Sequence, residues 1–170
     1  MDVLAATTLA GHSSPGWALA GGLVGGGAFL AVVYMGRAIR MTRMNFLDVL
    51  GTMLVPRASQ TTVYTVGLMA HLMMSAAFGL AHAGLLHAIG VTSIGQAAGW
   101  DLLIGTVHGM VILAVMPMLL TLMHPLVRKG AMERPGVAMT GFGSQTPIGS
   151  LMAHMVFGLV TGAIYAAAIL

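Results

Sequence analysis

The chain has 170 residues, of which 58% are hydrophobic and only 6% are charged. Soluble domains carry about 25% charged residues, so four acids and seven bases cannot cover a water-facing surface of this size. The mean hydropathy of +0.94 points the same way. The composition therefore predicts an integral membrane protein and excludes a soluble enzyme or a nucleic-acid-binding domain. Cysteine is absent, which also excludes disulfides, thiolate metal sites and cysteine nucleophiles.

Four stretches are long and apolar enough to form membrane-spanning helices, which need about 20 mostly apolar residues. In chain order they run from about 17 to 35, 62 to 87, 102 to 123 and 147 to 170. The predicted fold class is therefore an all-α, polytopic membrane protein built as a four-transmembrane-helix bundle.

The basic residues indicate the orientation of these spans. Positively charged side chains are enriched in cytoplasmic loops, and here they all lie between spans one and two or between spans three and four. We therefore expect both termini and the loop 91–99 on the non-cytoplasmic side of the plasma or inner membrane. Trp17 and Trp100 then fall at the outer interface, where aromatic belts occur. The basic residues are Arg37, Arg40, Arg43, Arg57, Arg128, Lys129 and Arg134.

Two further segments lie between the spans on the cytoplasmic side. Asn45 followed by Asp48 resembles a capping box, so we expect a short interfacial helix near 45–55 on the inner leaflet. The glycine-rich stretch 125–146 is expected to be a flexible connector. The apolar face of the interfacial helix would consist of Phe46, Leu47, Leu50, Met53 and Leu54.

The chain also repeats itself at a fixed offset of 83 residues. The tetrapeptide Leu-Met-Ala-His that ends at His71 recurs ending at His154, and the Gly-Trp pair at Trp17 recurs at Trp100. We therefore predict two parallel repeated helical hairpins, related by a pseudo-two-fold axis along the membrane normal. The hairpins would cover about 16–87 and about 99–170 of a single membrane domain, 1–170.

Four histidines lie inside the predicted spans, where ionisable side chains are costly and usually face the bundle interior. His71 and His154 are repeat mates, so we expect them at a similar depth. His82 follows His71 by 11 residues, about 16 Å further outward along a helix, and His108 falls at a comparable outer depth. We therefore predict two stacked pairs of imidazoles that could bind a cofactor, His71 with His154 and His82 with His108.

Three interpretations of these histidines remain open. Paired imidazoles in a four-helix bundle are typical of b-type cytochromes, which favours haem b. The 16 methionines favour copper, since thioether and imidazole ligands suit that metal, and His71 and His154 are then the candidate metal ligands. The third interpretation, which we prefer, is that no cofactor is bound and the imidazoles hydrogen-bond between helices.

The remaining polar side chains lie near the predicted span ends. We expect Asp101 to cap the third span, its carboxylate accepting backbone N–H groups. A proton relay between Asp101 and His108 is the alternative. His12, His87 and His124 are expected to be solvated.

The closing helix carries Ala153-His154, Phe157-Gly158, Gly162 and Tyr165. This pattern resembles small uncharacterised bacterial membrane proteins with four predicted spans and a last helix rich in glycine and histidine. The resemblance implies the four-span plan and carries no activity with it.

The sequence contains no phosphate-binding loop, catalytic triad, zinc motif or carboxylate dyad. We therefore expect a small multi-pass membrane subunit or assembly partner of a larger membrane complex, non-catalytic itself, in contact with lipid. Its protein partners would be other membrane subunits or further copies of itself. One alternative is a haem b- or copper-binding redox subunit of a membrane oxidoreductase. The other is a small oligomeric transporter or proton pathway.

Overall fold

The computed structural model describes residues 13–170, which fold into helices joined by short loops. This part of the chain contains no β-strand, in agreement with the predicted all-α class. The expectation for His12 falls outside the described residues. The helices are α1 (Pro15–Ala38), α2 (Phe46–Leu54), α3 (Gln60–Ile89), α4 (Ile94–Met123), α5 (Pro125–Arg128) and α6 (Thr146–Ile169), with a 3₁₀ segment (Val137–Phe142) before α6.

Helices α1, α3, α4 and α6 are long and apolar enough to cross a membrane, which confirms the four predicted apolar helices. Helix α4 begins at Ile94, eight residues before its predicted start. The side chain of Ser93 accepts a hydrogen bond from the backbone N–H of Gln96 at 3.2 Å and so caps the helix early. Gly90, with φ of +75°, ends α3, so the predicted loop 91–99 shrinks to the three residues before Ile94.

The four long helices run alternately up and down. Trp17 and Trp100 lie at one end, called the tryptophan end, and the loops with the basic residues lie at the other, called the basic end. Helix α1 packs against α3 and α6, and α6 also packs along α4, whereas α3 and α4 touch much less. Small residues allow the close crossings. A Cβ built on Gly79 would lie only 2.7 Å from Cα of Gly22.

Helix α2 packs beside the first turns of α3 through glycines. A Cβ built on Gly67 would lie 3.1 Å from the backbone nitrogen of Gly51. Val49 and Thr52 are buried as well, whereas Leu54 is 57% exposed.

The predicted short helix is present. Of its predicted apolar face, Phe46 and Met53 pack against buried apolar side chains, whereas Leu54 does not, and glycines set the approach of the helix to α3.

The predicted capping box is wrong, because the side chain of Asn45 makes no cap hydrogen bond to α2. Its amide oxygen instead accepts a hydrogen bond from the Tyr34 hydroxyl at 3.0 Å, and its amide nitrogen donates to the Tyr64 hydroxyl. Asp48 accepts a hydrogen bond from Nε2 of Gln60 at 2.9 Å. The two side chains therefore tie α2 to α1 and α3.

The glycine-rich stretch 125–146 folds back over the basic end, contrary to the expected flexible connector. Arg43 donates a hydrogen bond to the carbonyl oxygen of Gly141 at 2.9 Å and pairs with Glu133 at 3.1 Å. Below these polar contacts, buried apolar side chains from α2, α4 and the 3₁₀ segment close the end of the bundle. That cluster consists of Met44, Val49, Leu120, Met139 and Phe142.

Two histidines expected to be solvated have protein partners instead. His124 is 0% exposed. Its Nδ1 accepts the backbone N–H of Leu126 at 3.2 Å, and its Nε2–H donates to the carbonyl oxygen of Val49 at 3.0 Å. His87 is half-buried, and its Nε2 lies 2.6 Å from the Tyr165 hydroxyl. The expectation for His124 is wrong, because Val49, distant in sequence, supplies a partner inside the protein. His87 keeps part of its surface exposed besides its contact with Tyr165.

Candidate functional site

Asp101 lies inside α4 and is 0% exposed, so the prediction that it caps the helix is wrong. The earlier start of α4, capped by Ser93, moves Asp101 into the second turn. Its Oδ1 lies 2.6 Å from Nδ1 of His82. Gly162 on α6 makes room for the carboxylate, since a Cβ built there would lie 2.8 Å from Oδ2.

His82 extends this contact to a second imidazole. It is 2% exposed, and its Nε2 lies 3.4 Å from Nδ1 of His108. Phe157 packs edge-on against the His82 ring, and Phe78 packs against the His108 ring with centroids 4.1 Å apart. The structure thus brings His82 and His108 together and joins them to Asp101. These three side chains form a continuous series, called the polar row.

The hydrogen bonds of the polar row fix where its protons lie. A neutral imidazole carries one N–H, so its other nitrogen accepts. If Asp101 is ionised, His82 donates to it from Nδ1, His108 donates from Nδ1 to Nε2 of His82, and Nε2 of His108 is left as an acceptor. If Asp101 is protonated, both hydrogen bonds reverse and Nε2 of His108 carries a hydrogen. One added proton therefore converts the end of the row from an acceptor into a donor.

The other two predicted site histidines lie beside the polar row. Nδ1–H of His154 donates to the carbonyl oxygen of Ser150 at 2.7 Å, and the His154 ring packs edge-on against His108, with centroids 4.9 Å apart. Nε2–H of His71 donates to the carbonyl oxygen of Gly26 at 3.0 Å. Each imidazole therefore has one nitrogen committed to a backbone carbonyl.

His71 and His154 are bridged by an aromatic ring rather than stacked on each other. The ring of Phe29, from α1, lies 5.2 Å from His71 and 4.9 Å from His154 by centroids. The reason is that α1 packs against both α3 and α6. The predicted repeat would place the two histidines on equivalent positions, but it contains no information about the phenylalanine that contacts them.

A cavity of about 330 Å³, called the central cavity, lies between the polar row and the closed basic end. His71, His108 and His154 line it, together with phenylalanines and aliphatic side chains. No aspartate, glutamate, lysine or arginine is among the lining residues that the structure describes. Six methionines also line it: Met41, Met44, Met53, Met74, Met116 and Met139.

No protein-family model matches this chain, and no curated protein or solved structure matches it. The resemblance of the closing helix to small bacterial membrane proteins therefore stays a prediction. The function has to be inferred from the polar row and the central cavity.

Three observations bear on whether the histidines could hold a metal ion or haem. Across residues 13–170, no group of three or more histidine, aspartate or glutamate side chains is placed to hold a metal ion. Axial ligation of haem needs two imidazoles that face one iron. The backbone carbonyls of Gly26 and Ser150 hold one nitrogen of His71 and of His154, as carbonyls also do for metal-ligating histidines, and leave the other nitrogen of each ring free. Phe29 packs against both rings, so the two imidazoles do not stack on each other.

The sequence carried one signal for this site. Asp101 precedes His108 by seven residues, two turns of α4, so both side chains share one helix face. This spacing agrees with the alternative of a relay between Asp101 and His108, whereas the expected cap is wrong. The contact with His82 depends on the tight α3–α4 connection, which the predicted nine-residue loop obscured.

Proposed function

We propose that α1, α3, α4 and α6 cross the cell membrane with the basic end in the cytoplasm. The polar side chains support this, because His82, Asp101 and Thr161 are buried while large apolar side chains cover the outside. Met73 on α3 is 70% exposed and Val107 on α4 is 61% exposed. A soluble bundle would instead bury its large apolar side chains and expose its polar ones.

Single cysteines test the topology cleanly, because the chain has none of its own. Ser93→Cys, between α3 and α4, should react with an impermeant maleimide on intact cells. Ala131→Cys, after α5, should react only once the membrane is permeabilised. The opposite pattern at the two positions would overturn the orientation.

The internal repeat is part of the same proposal, and the helix crossings support it. A Cβ on Gly79 would meet Ala18 and Gly22, and a Cβ on the repeat mate Gly162 would meet Asp101, which is the mate of Ala18. The α1–α3 and α4–α6 crossings thus use equivalent positions. The arrangement of the two hairpins is not symmetric, since α1 packs along α6 whereas α4 only touches α3.

We infer that the protein exchanges a proton between the polar row and a molecule held in the central cavity. The observation that carries this inference is the unbroken series from Asp101 through His82 to His108, whose last member is among the residues that line the cavity. Among residues 13–170, Nε2 of His108 and Oδ2 of Asp101 are buried without a hydrogen-bond partner. Ionisable groups inside a span are expensive to keep and commonly serve proton relays.

This proposal favours the proton-handling alternative over the others. A purely structural role usually leaves few buried polar atoms without a partner, whereas both ends of the polar row, Oδ2 of Asp101 and Nε2 of His108, lack one. Membership of a larger membrane complex remains compatible with a proton-exchanging subunit and stays a prediction. The haem and copper alternatives also stay predictions, which an absorption spectrum and metal analysis of the purified protein test.

The experiment is an infrared titration combined with histidine NMR. The chain has only four acids, so the carboxylic-acid band of Asp101 can be identified by its loss in Asp101→Asn and its retention in Asp48→Asn. Lowering the pH should produce that band together with a shift of the His108 proton from Nδ1 to Nε2 in ¹⁵N spectra. Protonation of Asp101 with an unchanged His108 tautomer would overturn the relay.

A further inference from the structure

We propose that the central cavity binds an uncharged aromatic diol, whose two O–H groups donate hydrogen bonds to Nδ1 of His71 and Nε2 of His154. Both histidines line the cavity, and neither belongs to the polar row. The proposal goes beyond the proton exchange, because this binding step moves no proton and forms no charge. It adds a binding site on His71 and His154 and the class of ligand that this site takes.

Backbone carbonyls fix both nitrogens as hydrogen-bond acceptors. Nε2–H of His71 donates to the carbonyl oxygen of Gly26 at 3.0 Å, and Nδ1–H of His154 donates to that of Ser150 at 2.7 Å. A neutral imidazole carries one N–H, so the other nitrogen of each ring presents a lone pair. The ligand therefore needs two donors, and a molecule with only carbonyl or ether oxygens does not satisfy these nitrogens.

The two accepting nitrogens are unpartnered without being sealed inside the protein. Within residues 13–170, His71 makes its hydrogen bonds only through Nε2, and His154 only through Nδ1. The enclosed polar atoms that lack a partner belong to Asp101 and His108, and neither accepting nitrogen is among them. The side chains of His71 and His154 keep 5% and 7% of their surface accessible and line the central cavity. The lone pairs are therefore open to a molecule in that cavity.

The lining of the central cavity requires an uncharged ligand. No formally charged side chain is among its described lining residues. Transfer of an ion into such surroundings is strongly unfavourable unless a partner charge is present. Aromatic hydroxyl groups meet this requirement, because they stay protonated at neutral pH, whereas alkyl amines are ionised. Ligand pockets of about 300–1,000 Å³ are typically apolar with a few converging polar groups, and the volume here is about 330 Å³.

The wall shared by the two histidines favours an aromatic ligand. The ring of Phe29 packs against both imidazoles, with centroids 5.2 Å from His71 and 4.9 Å from His154. A flat ligand that lies along this wall has one end near each histidine, and aromatic rings prefer offset or edge-to-face contacts with one another. Methionine sulfur also makes favourable contacts with aromatic rings, and six methionines line the same space.

The position of Met74 gives a route for such a ligand. Met74 lines the central cavity and is also 41% exposed on the outer surface of α3. The cavity therefore reaches the side of the bundle, where the proposed topology places lipid. A molecule dissolved in the membrane can enter there without crossing water.

The test compares three naphthalenes that differ in their donors: 2,6-dihydroxynaphthalene has two, 6-methoxy-2-naphthol has one and 2,6-dimethoxynaphthalene has none. Binding to the full chain in nanodiscs is titrated to saturation, and uptake by empty nanodiscs is subtracted. Each O–H group should tighten binding about tenfold, the effect of one hydrogen bond to a buried acceptor. Equal affinity of the three compounds, or uptake that never saturates, would overturn the diol assignment.

Histidine ¹⁵N spectra of the wild-type protein locate the bound diol. It should shift Nδ1 of His71 and Nε2 of His154 together, while the nitrogens bonded to the carbonyls of Gly26 and Ser150 keep their positions. The dimethoxy compound should shift neither. If both accepting nitrogens are already hydrogen-bonded before the probe is added and stay unchanged during the titration, water satisfies them and the proposed site is wrong.

Histidine substitutions test the two contacts separately. His71→Phe and His154→Phe each keep the aromatic bulk and remove one acceptor, so each should weaken diol binding about tenfold and leave the dimethoxy compound unaffected. His87→Phe is the matched control, since His87 is not among the described residues that line the cavity, and it should bind the diol as the wild type does. Unchanged diol affinity in both cavity variants would contradict the proposal.

The outcomes also separate this site from the proposed proton exchange. A polar row that titrates as described, combined with no preference for the diol, rejects the ligand class and leaves the proton relay standing. A clear preference for the diol, combined with a row that does not titrate, rejects the relay and leaves the binding site standing.

Discussion

Nδ1 of His82 lies 2.6 Å from Oδ1 of Asp101, and the two side chains are only 3% and 0% exposed. Removing one partner of such a pair leaves the other buried without compensation. We therefore expect Asp101→Ala to lower the free energy of unfolding by about 1–3 kcal/mol, the penalty for one unsatisfied buried group. Thermal and denaturant unfolding in detergent measure the loss.

The control for this pair is Asp48→Ala, which removes a carboxylate whose partner, Gln60, is exposed. Its effect should stay within about 0.5 kcal/mol. Replacing both Asp101 and His82 by leucine should recover part of the loss, because neither partner of the pair is then left buried alone. The recovery should be incomplete, since Nδ1 of His108 loses its bond to His82. If Asp101→Ala were as stable as Asp48→Ala, the buried pair would contribute nothing.

The crossing of α1 and α3 gives a second prediction. Valine at Gly79 would press its Cβ against the backbone of Ala18 and Gly22, which cannot move aside as a flexible side chain can. We expect Gly79→Val to destabilise the bundle by at least about 1–3 kcal/mol, the usual effect of overpacking. Gly84→Val on the same helix is the matched control, since a Cβ there meets nothing within 4 Å. Equal melting temperatures for the two variants would contradict the crossing.

The long helices could be predicted because a membrane span is a property of local composition. About 20 consecutive apolar residues predict a span whatever its neighbours are, and α1, α3, α4 and α6 appear where that rule puts them. The start of α4 could not be placed so well. Ser93 and Asp101 are both good caps, and only the chain packing decides that Ser93 caps while Asp101 is buried.

The candidate site was predictable only in part, for a related physical reason. Helix geometry gives the depth of His82 and His108 from spacing along each helix, and the structure brings those two together. The rotation of each helix about its axis, and the position of α1, depend on which glycines lie at the helix crossings. The spacing of residues along the chain does not show which glycines these are. The sequence pattern therefore does not predict that Phe29 contacts His71 and His154.

His124 gives a third prediction, which concerns the attachment of α2. Its Nε2–H donates to the carbonyl oxygen of Val49, so it connects the end of α4 to α2. His124→Ala removes this hydrogen bond and leaves the carbonyl with the longer contact from the Thr52 hydroxyl, at 3.4 Å. We expect α2 to loosen at a cost of about 0.5–1.5 kcal/mol. Hydrogen exchange of the α2 amides should accelerate while that of α6 stays unchanged. Thr121→Ala, which removes an exposed hydroxyl nearby, serves as the control and should leave the exchange of α2 as it is. Unaltered exchange in His124→Ala would show that the glycine contacts alone hold α2.

The hydroxyl of Tyr165 lies 2.6 Å from Nε2 of His87, and Tyr165 is only 2% exposed, so this bond connects the last turns of α3 and α6 in a protected position. We expect Tyr165→Phe to lower the free energy of unfolding by about 1 kcal/mol, because the ring and its packing remain and only the hydrogen bond is lost. A double-mutant cycle with His87→Ala isolates the pairwise contribution. The second substitution should cost less in the Tyr165→Phe background than in the wild type, by about the same 1 kcal/mol. Strictly additive losses would mean that the hydroxyl and the imidazole do not interact, and that packing alone joins the two helix ends.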